Sequence, residues 1–504
     1  MMRRILKYMV IPVVIYLSSC ADLLDVIPKH NLVGQNAIVD KTTAINALRG
    51  VYSYFQLSNN GYTIAHWANG AYLGGLCTNE IRYGFDNSLR QFTLSPVGTN
   101  VINALPPLYN AAYCIVNAAN NVIYHTNLLN NISEEDKIEI IGEARFMRGY
   151  GLLTIMKNYS HFWNIDSPYG PIIRETPTTL ETLYVPRSSI RDGYEFIIED
   201  FRAAVKDSHD EQISVFRANR HVAKGFLAET LLMRGDNGDA AEALVLLEEL
   251  TNQALSPFRL GTSFATLFNA ANDYKNGGET MLAQGRLNAE TIETYSTRTS
   301  STLYAGYSKA IASALYCIHQ SPDHYNELLV EDARYPYTWN NITFTSTTGV
   351  EKTDMTFIKM WRPEIQCPSF YMRLAQCYVM KAEALYFTGA TVDQVIEPLN
   401  TLRARAGCEL LVAADYPNTP TGKSLLRKAI VNEYVLECGI ENSCEWYAMV
   451  RLKDEHGNRF VQYFNIYYTE EVENAMCLLI PDVDIVANKG IVIQNPFAPT
   501  QLIQ

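Results

Sequence analysis

Aromatic side chains cluster in two stretches of the sequence that lack a helical period, one near the N-terminus and one past the middle. A ring can stack on the apolar C–H face of a sugar while amide and guanidinium groups bond the hydroxyls, and exposed apolar clusters usually mark binding. The alternative is that each ring packs beneath its own loop. We predict a ligand-binding face built from Trp67, Arg82, Tyr83 and Asn87 of the first stretch and Tyr335, Tyr337 and Trp339 of the second.

The sequence lacks the motifs of catalytic and cofactor sites. Residues 422–424, Gly-Lys-Ser, are similar to the end of a phosphate-binding loop, but Pro417 stands where that motif needs its first glycine. Residues 236–239 lack the ligand spacing and the closing Glu of a calcium loop, which favours a tight helix–helix turn. No G-x-S-x-G or H-E-x-x-H spacing occurs. We therefore expect a binding protein without catalytic residues, a metal or a cofactor.

The N-terminus has the layout of an export signal. Three basic residues precede an apolar run at residues 8–17, which is too short to span a bilayer. The sequence Leu-Ser-Ser-Cys that follows is typical of a lipobox, so we predict a signal peptide at residues 1–19 and lipidation of Cys20. Several acyl chains on one residue would give durable membrane anchoring.

The charge of the chain restricts its partners. The formal net charge is −12 and no basic block occurs, which argues against nucleic acid and against attachment to anionic lipid by charge. Hydrophobic residues make up 48 % of the chain, enough for a large core. No later segment is long and apolar enough to cross a bilayer, so we expect the lipid on Cys20 to provide the attachment.

Apolar residues at helical spacing predict that helices dominate the chain. Two helix pairs share a pattern: residues 217–253 turn near Gly235, and residues 371–406 turn near Gly389. Both pairs place alanine and leucine where the helices would cross. This arrangement is typical of tetratricopeptide repeats, whose units bury their faces by stacking.

These patterns predict mainly helices, with two tetratricopeptide-like helix pairs and an irregular, loop-rich part that contains a few short strands. The predicted order is a tether at residues 20–40, helical residues 41–259, the irregular binding part at residues 260–366, and helical residues 367–504. The length of 504 residues allows two or three domains or one large helical body.

Nine of the ten cysteines remain after Cys20, and no two have the C-x-x-C spacing of a zinc ribbon or redox motif. Cys114, Cys377 and Cys438 lie among apolar helical residues and are predicted to be small core residues. Export permits disulfides. The odd number leaves at least one thiol free unless a pair forms between chains.

Several segments occur in an order that is typical of one known family. The most specific is GEARFMRGY at residues 142–150. The others are residues 20–25, 47–52, 78–80, 108–123, 186–187, 198–200, 380–384, 399–407, 480–481 and 488–496. Together they resemble the SusD/RagB family of nutrient-binding lipoproteins over the whole mature chain.

One segment departs from this resemblance. Family members usually carry Glu-Gly-x-Arg-Trp-x-Asp-Leu near the C-terminal helices. Residues 441–449 here read Glu-Asn-Ser-Cys-Glu-Trp-Tyr-Ala-Met, with one extra residue and without the Gly, Arg and Asp. This departure indicates a divergent branch.

The resemblance implies a mainly α-helical fold that forms a single domain at residues 41–504, in which tetratricopeptide-like helix pairs support an irregular, loop-rich binding face with a few short strands. It also implies an outer-membrane location facing the outside, and a TonB-dependent (SusC-like) transporter barrel over which the lipoprotein acts as a lid. In starch-binding members an aromatic residue three positions after a motif Glu stacks on the ligand. Tyr83 holds that position after Glu80, and Asn87 lies near the position of its polar partner. The leading interpretation is capture of oligosaccharides. The alternatives are capture of peptides, a structural or adhesion lipoprotein without a small ligand, and an exported hydrolase.

Overall fold

The structure is a computed structural model. It describes residues 37–54, 58–59, 62–63, 81–83, 106–211, 214–267, 278–283, 285–286, 294–295, 317–319, 328, 331–345, 351–357, 359, 370–464, 473 and 476–496. Within these ranges, no helix has the length and apolar character needed to cross a membrane.

Helices form most of the described chain, as the sequence predicts. They are α1 (Lys41–Ser53), α2 (Pro106–Asn127), α3 (Glu134–Tyr159), α4 (Ile190–Asp207), α5 (Arg220–Arg234), α6 (Asp239–Thr251), α7 (Phe264–Leu267), α8 (Tyr335–Thr338), α9 (Leu374–Phe387), α10 (Val392–Ala406), α11 (Pro420–Cys438), α12 (Cys444–Arg451), α13 (Val461–Phe464) and α14 (Asp482–Ala487). Ser133, Ser189 and Thr391 each accept a hydrogen bond from a backbone N–H of the first turn, which fixes where α3, α4 and α10 begin.

Both predicted helix pairs are present. Helices α5 and α6 turn through Gly235 with φ +67°, and α9 and α10 turn through Gly389 with φ +79°, a region that favours glycine. Ala228 and Ala382 are fully buried, so small side chains allow close approach within each pair. Helix α9 packs on α6, which joins the two pairs into one stack. The mainly helical fold is therefore confirmed.

Within the described residues, strands are few and short, and most lie in the irregular part. They are β1 (Ser58–Asn59), β2 (Tyr62–Thr63), β3 (Ile81–Tyr83), β4 (Thr280–Ala283), β5 (Gly285–Arg286), β6 (Thr294–Tyr295), β7 (Cys317–His319), β8 (Trp339–Thr345), β9 (Glu351–Phe357) and β10 (Phe370–Arg373). Antiparallel pairing gives a four-stranded sheet with the order β3-β7-β9-β8, and three two-stranded sheets, β1-β2, β4-β10 and β5-β6.

One boundary differs from the sequence prediction. Residues 371–373 open the second predicted helix pair but belong to β10, because they pair with β4 and are buried. Helix α12 begins at Cys444, after the chain turns through residues 439–443. The prediction that Cys114 is a core residue is wrong, since Cys114 is exposed on α2 while Cys377 and Cys438 are buried.

Candidate ligand-binding face

The four-stranded sheet brings the two aromatic stretches together. Strand β3 contains Arg82 and Tyr83, and β8 begins at Trp339 on the opposite edge. Arg82 pairs with Ile318, Ile318 with Thr356, and Thr356 with Asn340, so Arg82 and Asn340 occupy one row of the sheet. Three strand spacings of about 4.8 Å place their backbones roughly 14 Å apart.

Helix α8 carries Tyr335 and Tyr337 and leads directly into the edge strand β8. Tyr335 is half-buried against the hydrophobic core, and this burial raises the pKa of its hydroxyl. Tyr337 is 37 % exposed, and Asn340 and Asn341 at the start of β8 are exposed as well. An exposed ring beside amide side chains can combine stacking with hydrogen bonds to a ligand. We refer to Tyr335, Tyr337, Asn340 and Asn341 as the α8–β8 face.

Trp339 does not belong to this face. Its side chain is 1 % exposed and lies in the hydrophobic core, so it offers no surface on which a sugar could stack. The expectation that Trp339 contacts a ligand is therefore corrected. The two residues that follow Trp339, Asn340 and Asn341, are exposed instead.

For the other predicted site residues, the described part of the structure includes at most the backbone. Cys20, Trp67 and Asn87 lie outside the described residues. Arg82 and Tyr83 are described as backbone positions of β3. Their roles in anchoring and ligand contact stay predictions.

A buried ionic network, which we call the central cluster, lies next to Tyr335 in the chain and was not predicted from the sequence. It joins five cations to five carboxylates: Arg334, Lys359, Arg373, Arg403 and Arg405 with Glu279, Asp332, Glu433, Glu437 and Glu441. All of these side chains except Arg403 are at most 4 % exposed. Their formal charges balance, as burial at this depth requires.

The geometry of the central cluster fixes the start of the α8–β8 face. Arg334 Nε donates to Asp332 Oδ1 at 2.9 Å, and its Nη1 also donates to Glu433 of α11. Burial by itself disfavours the Arg334 charge, but Glu433 and Asp332 outweigh this effect and raise the pKa of the guanidinium. The residue immediately before Tyr335 is thus anchored to a C-terminal helix.

Two more cations attach the irregular part to the same helices. Lys359 Nζ lies 2.6 Å from Glu441 Oε1, and Arg373 Nε lies 2.6 Å from Glu441 Oε2. Arg373 Nη1 also pairs with Glu279, which directly precedes β4. The sequence signal for this cluster was slight. Arg403 and Arg405 stood in a recognised segment and Glu441 in the divergent one. The sequence did not connect them, because their partners are far away in the chain.

A second buried group, the N-terminal cluster, surrounds the carboxylate of Glu143 in the segment GEARFMRGY. Tyr52 Oη of α1 donates to Glu143 Oε1 at 2.6 Å, and Arg217 binds both carboxylate oxygens at 3.0 and 2.5 Å. His209 Nε2 approaches Glu143 Oε2 at 3.5 Å. Burial by itself raises the pKa of Glu143, but Arg217 and His209 outweigh it and hold this pKa at about 2.

Other residues of the segment GEARFMRGY also stabilise the packing of the helices. Arg148 makes a bidentate pair with the buried Asp200 of α4, with both distances at 2.7 Å. A Cβ on Gly142 would lie 2.7 Å from the backbone of Asp207, so the end of α4 leaves no room for a side chain there. The most specific resemblance of the sequence thus encodes helix packing, and the α8–β8 face lies elsewhere.

A groove of about 680 Å³ lies between α1 and α2, and none of its lining residues belongs to the α8–β8 face. Tyr54, Tyr113 and His125 line it together with amides such as Asn110 and Asn117. Asn117 is already engaged, since its Oδ1 accepts from the Thr178 N–H. Sequence reasoning missed this groove because its lining comes from helices predicted only to pack.

Stacked helix pairs with a short-stranded sheet segment define a tetratricopeptide-like class of fold. A family model described as the SusD family matches residues 268–497, and one described as "Starch-binding associating with outer membrane" matches residues 83–232. These two matches, which do not overlap, support a SusD/RagB family protein. A comparison with curated protein sequences finds no match.

Solved structures share the fold at low sequence identity. A SusD superfamily protein from Parabacteroides distasonis has a TM-score of 0.70 and 16 % identity, covering 91 % of this chain and 99 % of its own. One from Bacteroides thetaiotaomicron has a TM-score of 0.69 and 18 % identity, covering 91 % and 100 %. A SusD-like carbohydrate binding protein from Bacteroides vulgatus has a TM-score of 0.63 and 17 % identity, covering 82 % and 84 %.

Proposed function

We propose that this protein is a lipid-anchored outer-membrane lipoprotein that binds oligosaccharides at the cell surface and delivers them to a TonB-dependent transporter barrel. The observation that carries the proposal is the α8–β8 face, where the exposed Tyr337 precedes the exposed Asn340 and Asn341 by three and four residues. The descriptions of the starch-binding family and of the carbohydrate-binding relative support an oligosaccharide as ligand.

Sugar binding at the α8–β8 face would use only stacking and hydrogen bonds, and it needs no catalytic residue. Tyr337 would stack on a sugar ring, and the two amides would bond its hydroxyls in the plane of the ring. Arg82 and Tyr83 of β3 lie at the other edge of the same sheet and would contact a second sugar unit. The central cluster holds the backbone of Arg334 in place, so the face is ordered before the ligand arrives.

Calorimetric titration of Tyr337→Ala with oligosaccharides tests the location of the site. We expect affinity to fall by roughly tenfold to a hundredfold, because loss of one stacking ring costs about 1 to 3 kcal/mol by analogy with base–aromatic stacking. Little change in melting temperature is expected, since the ring is 37 % exposed. Tyr124→Ala is the matched control, because Tyr124 is 50 % exposed on the helical part.

Two other outcomes would redirect the proposal. If Tyr337→Ala binds normally and Tyr54→Ala does not, the ligand occupies the groove between α1 and α2. If peptides titrate and oligosaccharides do not, the protein captures peptides and the sugar assignment is wrong.

Cell fractionation of Cys20→Ala tests the anchor. Loss of the acylated cysteine should move the protein from the membrane fraction to the soluble fraction, because each buried methylene contributes about 0.8 kcal/mol to anchoring. A variant that stays in the membrane would contradict lipidation at Cys20. Mild detergent extraction of the unaltered protein should also co-purify a large TonB-dependent barrel, and its repeated absence would favour an adhesion role.

A further inference from the structure

The groove between α1 and α2 has small residues on one helix and amides on the other. On α1, Ala47 and Gly50 line it, and a Cβ added at Gly50 would meet no atom within 4 Å. On α2, the lining residues Asn110, Asn117 and Asn121 recur at helical spacing and so share one face. The volume of about 680 Å³ lies within the range of about 300 to 1,000 Å³ that is typical of ligand pockets. The groove is thus large enough for a ligand.

The composition of the groove restricts the charge of this ligand. Charged residues make up 19 % of the chain, but no Asp, Glu, Lys or Arg is among the described residues that line the groove. A phosphate, a carboxylate or a metal ion would lose part of its hydration there without an opposite charge to replace it. Neutral amides and hydroxyl groups supply the polarity instead. The lining therefore favours an uncharged ligand that carries several hydrogen-bonding groups.

Two amides on successive turns of α2 present opposite hydrogen-bonding groups. Asn117 Oδ1 accepts from the Thr178 N–H at 2.9 Å, and Asn121 Nδ2 donates to Asn117 O at 2.8 Å. Because a backbone N–H can only donate and a carbonyl can only accept, these bonds fix the orientation of both amides. Within the described part of the chain, the Asn117 Nδ2 donor and the Asn121 Oδ1 acceptor have no other partner. A sugar hydroxyl both donates and accepts, so neighbouring hydroxyls match this pair.

An aromatic ring and the length of the groove complete the match. Tyr54, the residue that caps α1, lines the groove and is half-buried against the hydrophobic core. Such a ring can lie against the apolar C–H face of a sugar. The lining extends along α2 from Asn110 to His125, which is roughly 22 Å at 1.5 Å per residue. This extended shape suits a chain of sugar units.

We propose that the groove between α1 and α2 is a second binding site, which holds a segment of an uncharged oligosaccharide. Asn117 donates to one sugar hydroxyl, Asn121 accepts from a neighbouring one, and the Tyr54 ring contacts the apolar face of the sugar. None of the lining residues belongs to the α8–β8 face, so this site adds to the one proposed above. The ligand class rests on the lining of the groove itself, so each of the two sites can be refuted without the other.

The exposed thiol of Cys114 lines the groove and can report on its occupancy. The full chain is alkylated with iodoacetamide, with and without maltoheptaose, xylohexaose or mannohexaose. Mass spectrometry of the peptide that contains Cys114 gives the rate. At a sugar concentration about ten times the dissociation constant, roughly a tenth of the grooves stay empty, so the rate should fall about tenfold. An unchanged rate with all three sugars would overturn the proposal.

Two controls test the site and the ligand class. Cys408 is partly exposed and does not line the groove, so the sugars should leave its alkylation rate unchanged. An anionic oligogalacturonate of similar length should not protect Cys114, because the groove offers no cation among its described lining residues. Equal protection by oligogalacturonate would overturn the assignment of an uncharged ligand. Protection by an uncharged peptide and by none of the sugars would overturn the sugar assignment.

Variants at the groove test the proposed contacts. Gly50→Trp should fill the open space and abolish the effect of sugar on the Cys114 rate, whereas Gly50→Ala should retain it. Asn121→Leu removes the free acceptor and should weaken protection by roughly threefold to tenfold. Asn127→Leu is its matched control, because Asn127 is exposed on α2 and does not line the groove. Melting curves identify any variant that fails to fold, and full protection in folded Asn121→Leu and Gly50→Trp would overturn the site.

The variant Tyr337→Ala separates the groove from the α8–β8 face. We expect maltoheptaose, or whichever of the three sugars protects Cys114, to protect it equally in Tyr337→Ala. Loss of this protection would overturn the second site, because the thiol would then report on the α8–β8 face. Calorimetric binding of the sugar with an unchanged Cys114 rate would overturn the groove and leave the proposed function intact. Protection of Cys114 together with unchanged calorimetric binding by Tyr337→Ala would support the groove and overturn the α8–β8 location.

Discussion

The two buried ionic clusters differ in what they hold together. The N-terminal cluster gathers Tyr52, His209 and Arg217 around the single carboxylate of Glu143, and it attaches the loop between α4 and α5 to helices α1 and α3. The central cluster joins ten charged groups and attaches non-helical segments to α10 and α11.

This difference follows from how each region is stabilised. His209 and Arg217 lie within three residues of α4 and α5, and these helices satisfy their own backbone hydrogen bonds, so a single carboxylate is enough to fix the two residues. Residues 278–283, 331–334 and 359 lack such internal support, and several cations from different segments fix them instead. We expect charge removal in the central cluster to disturb both folding and the α8–β8 face. Removal in the N-terminal cluster should disturb folding alone.

The largest effect is expected for Arg373→Met. Arg373 is 1 % exposed and binds Glu279, Glu437 and Glu441, so its loss leaves three carboxylates without this partner in the core. The free energy of unfolding should fall by about 3 to 5 kcal/mol in urea titrations. Arg202→Met is the control, because Arg202 pairs with Glu242 on the surface and should cost at most about 1 kcal/mol. Equal losses in both variants would contradict the central role of the cluster.

Glu143→Gln should have a smaller effect that depends on pH. The Glu143 pKa of about 2 lies below its ordinary value of 4.5, so its ionised form stabilises the fold above pH 4.5. This contribution is lost as the pH falls from 4.5 through 2. We expect the variant to be less stable by about 2 to 4 kcal/mol at pH 7 and the difference to shrink by pH 3. Urea titrations at pH 7, 5 and 3 measure it, and a difference independent of pH would refute the assignment.

Glu445→Gln should have the smallest effect on the free energy of unfolding. Unlike the two variants above, it should raise this free energy. Burial raises the pKa of Glu445 to about 7, and its Oε2 has no hydrogen-bond partner within the described part of the chain. The fold therefore favours the neutral carboxyl, whose contribution is complete below pH 4.5 and is lost as the pH rises through 7. The variant should exceed the wild type by about 1 to 3 kcal/mol at pH 8.

The pH dependence separates this effect from a general gain in stability. At pH 5 the wild type and Glu445→Gln should unfold at similar urea concentrations, because the carboxyl is then neutral in the fold. Glu248→Gln is the matched control, since Glu248 is exposed on α6 and should not change the pH profile. A profile that Glu445→Gln leaves unchanged would mean that the buried carboxyl is stabilised by a partner.

The sequence by itself determined the helical frame. Apolar spacing located the helices, serine and threonine caps set where several begin, and glycine turns at Gly235 and Gly389 joined the pairs. These signals are local, because a helix bonds residues four apart and its cap acts within one turn. The order of motif segments also identified the family before any contact was known.

Only the tertiary structure decided which polar and aromatic residues are inside. Arg334 and Glu433 are 99 positions apart, and Arg373 and Glu279 are 94 apart, so no local pattern predicts either pair. Tyr337 and Trp339 are two positions apart in the chain, yet Tyr337 is 37 % exposed and Trp339 is 1 % exposed. The exposure of these two side chains depends on how β8 pairs in the sheet and packs against the core. That placement is fixed by strand pairing and buried charges that the chain assembles from distant segments.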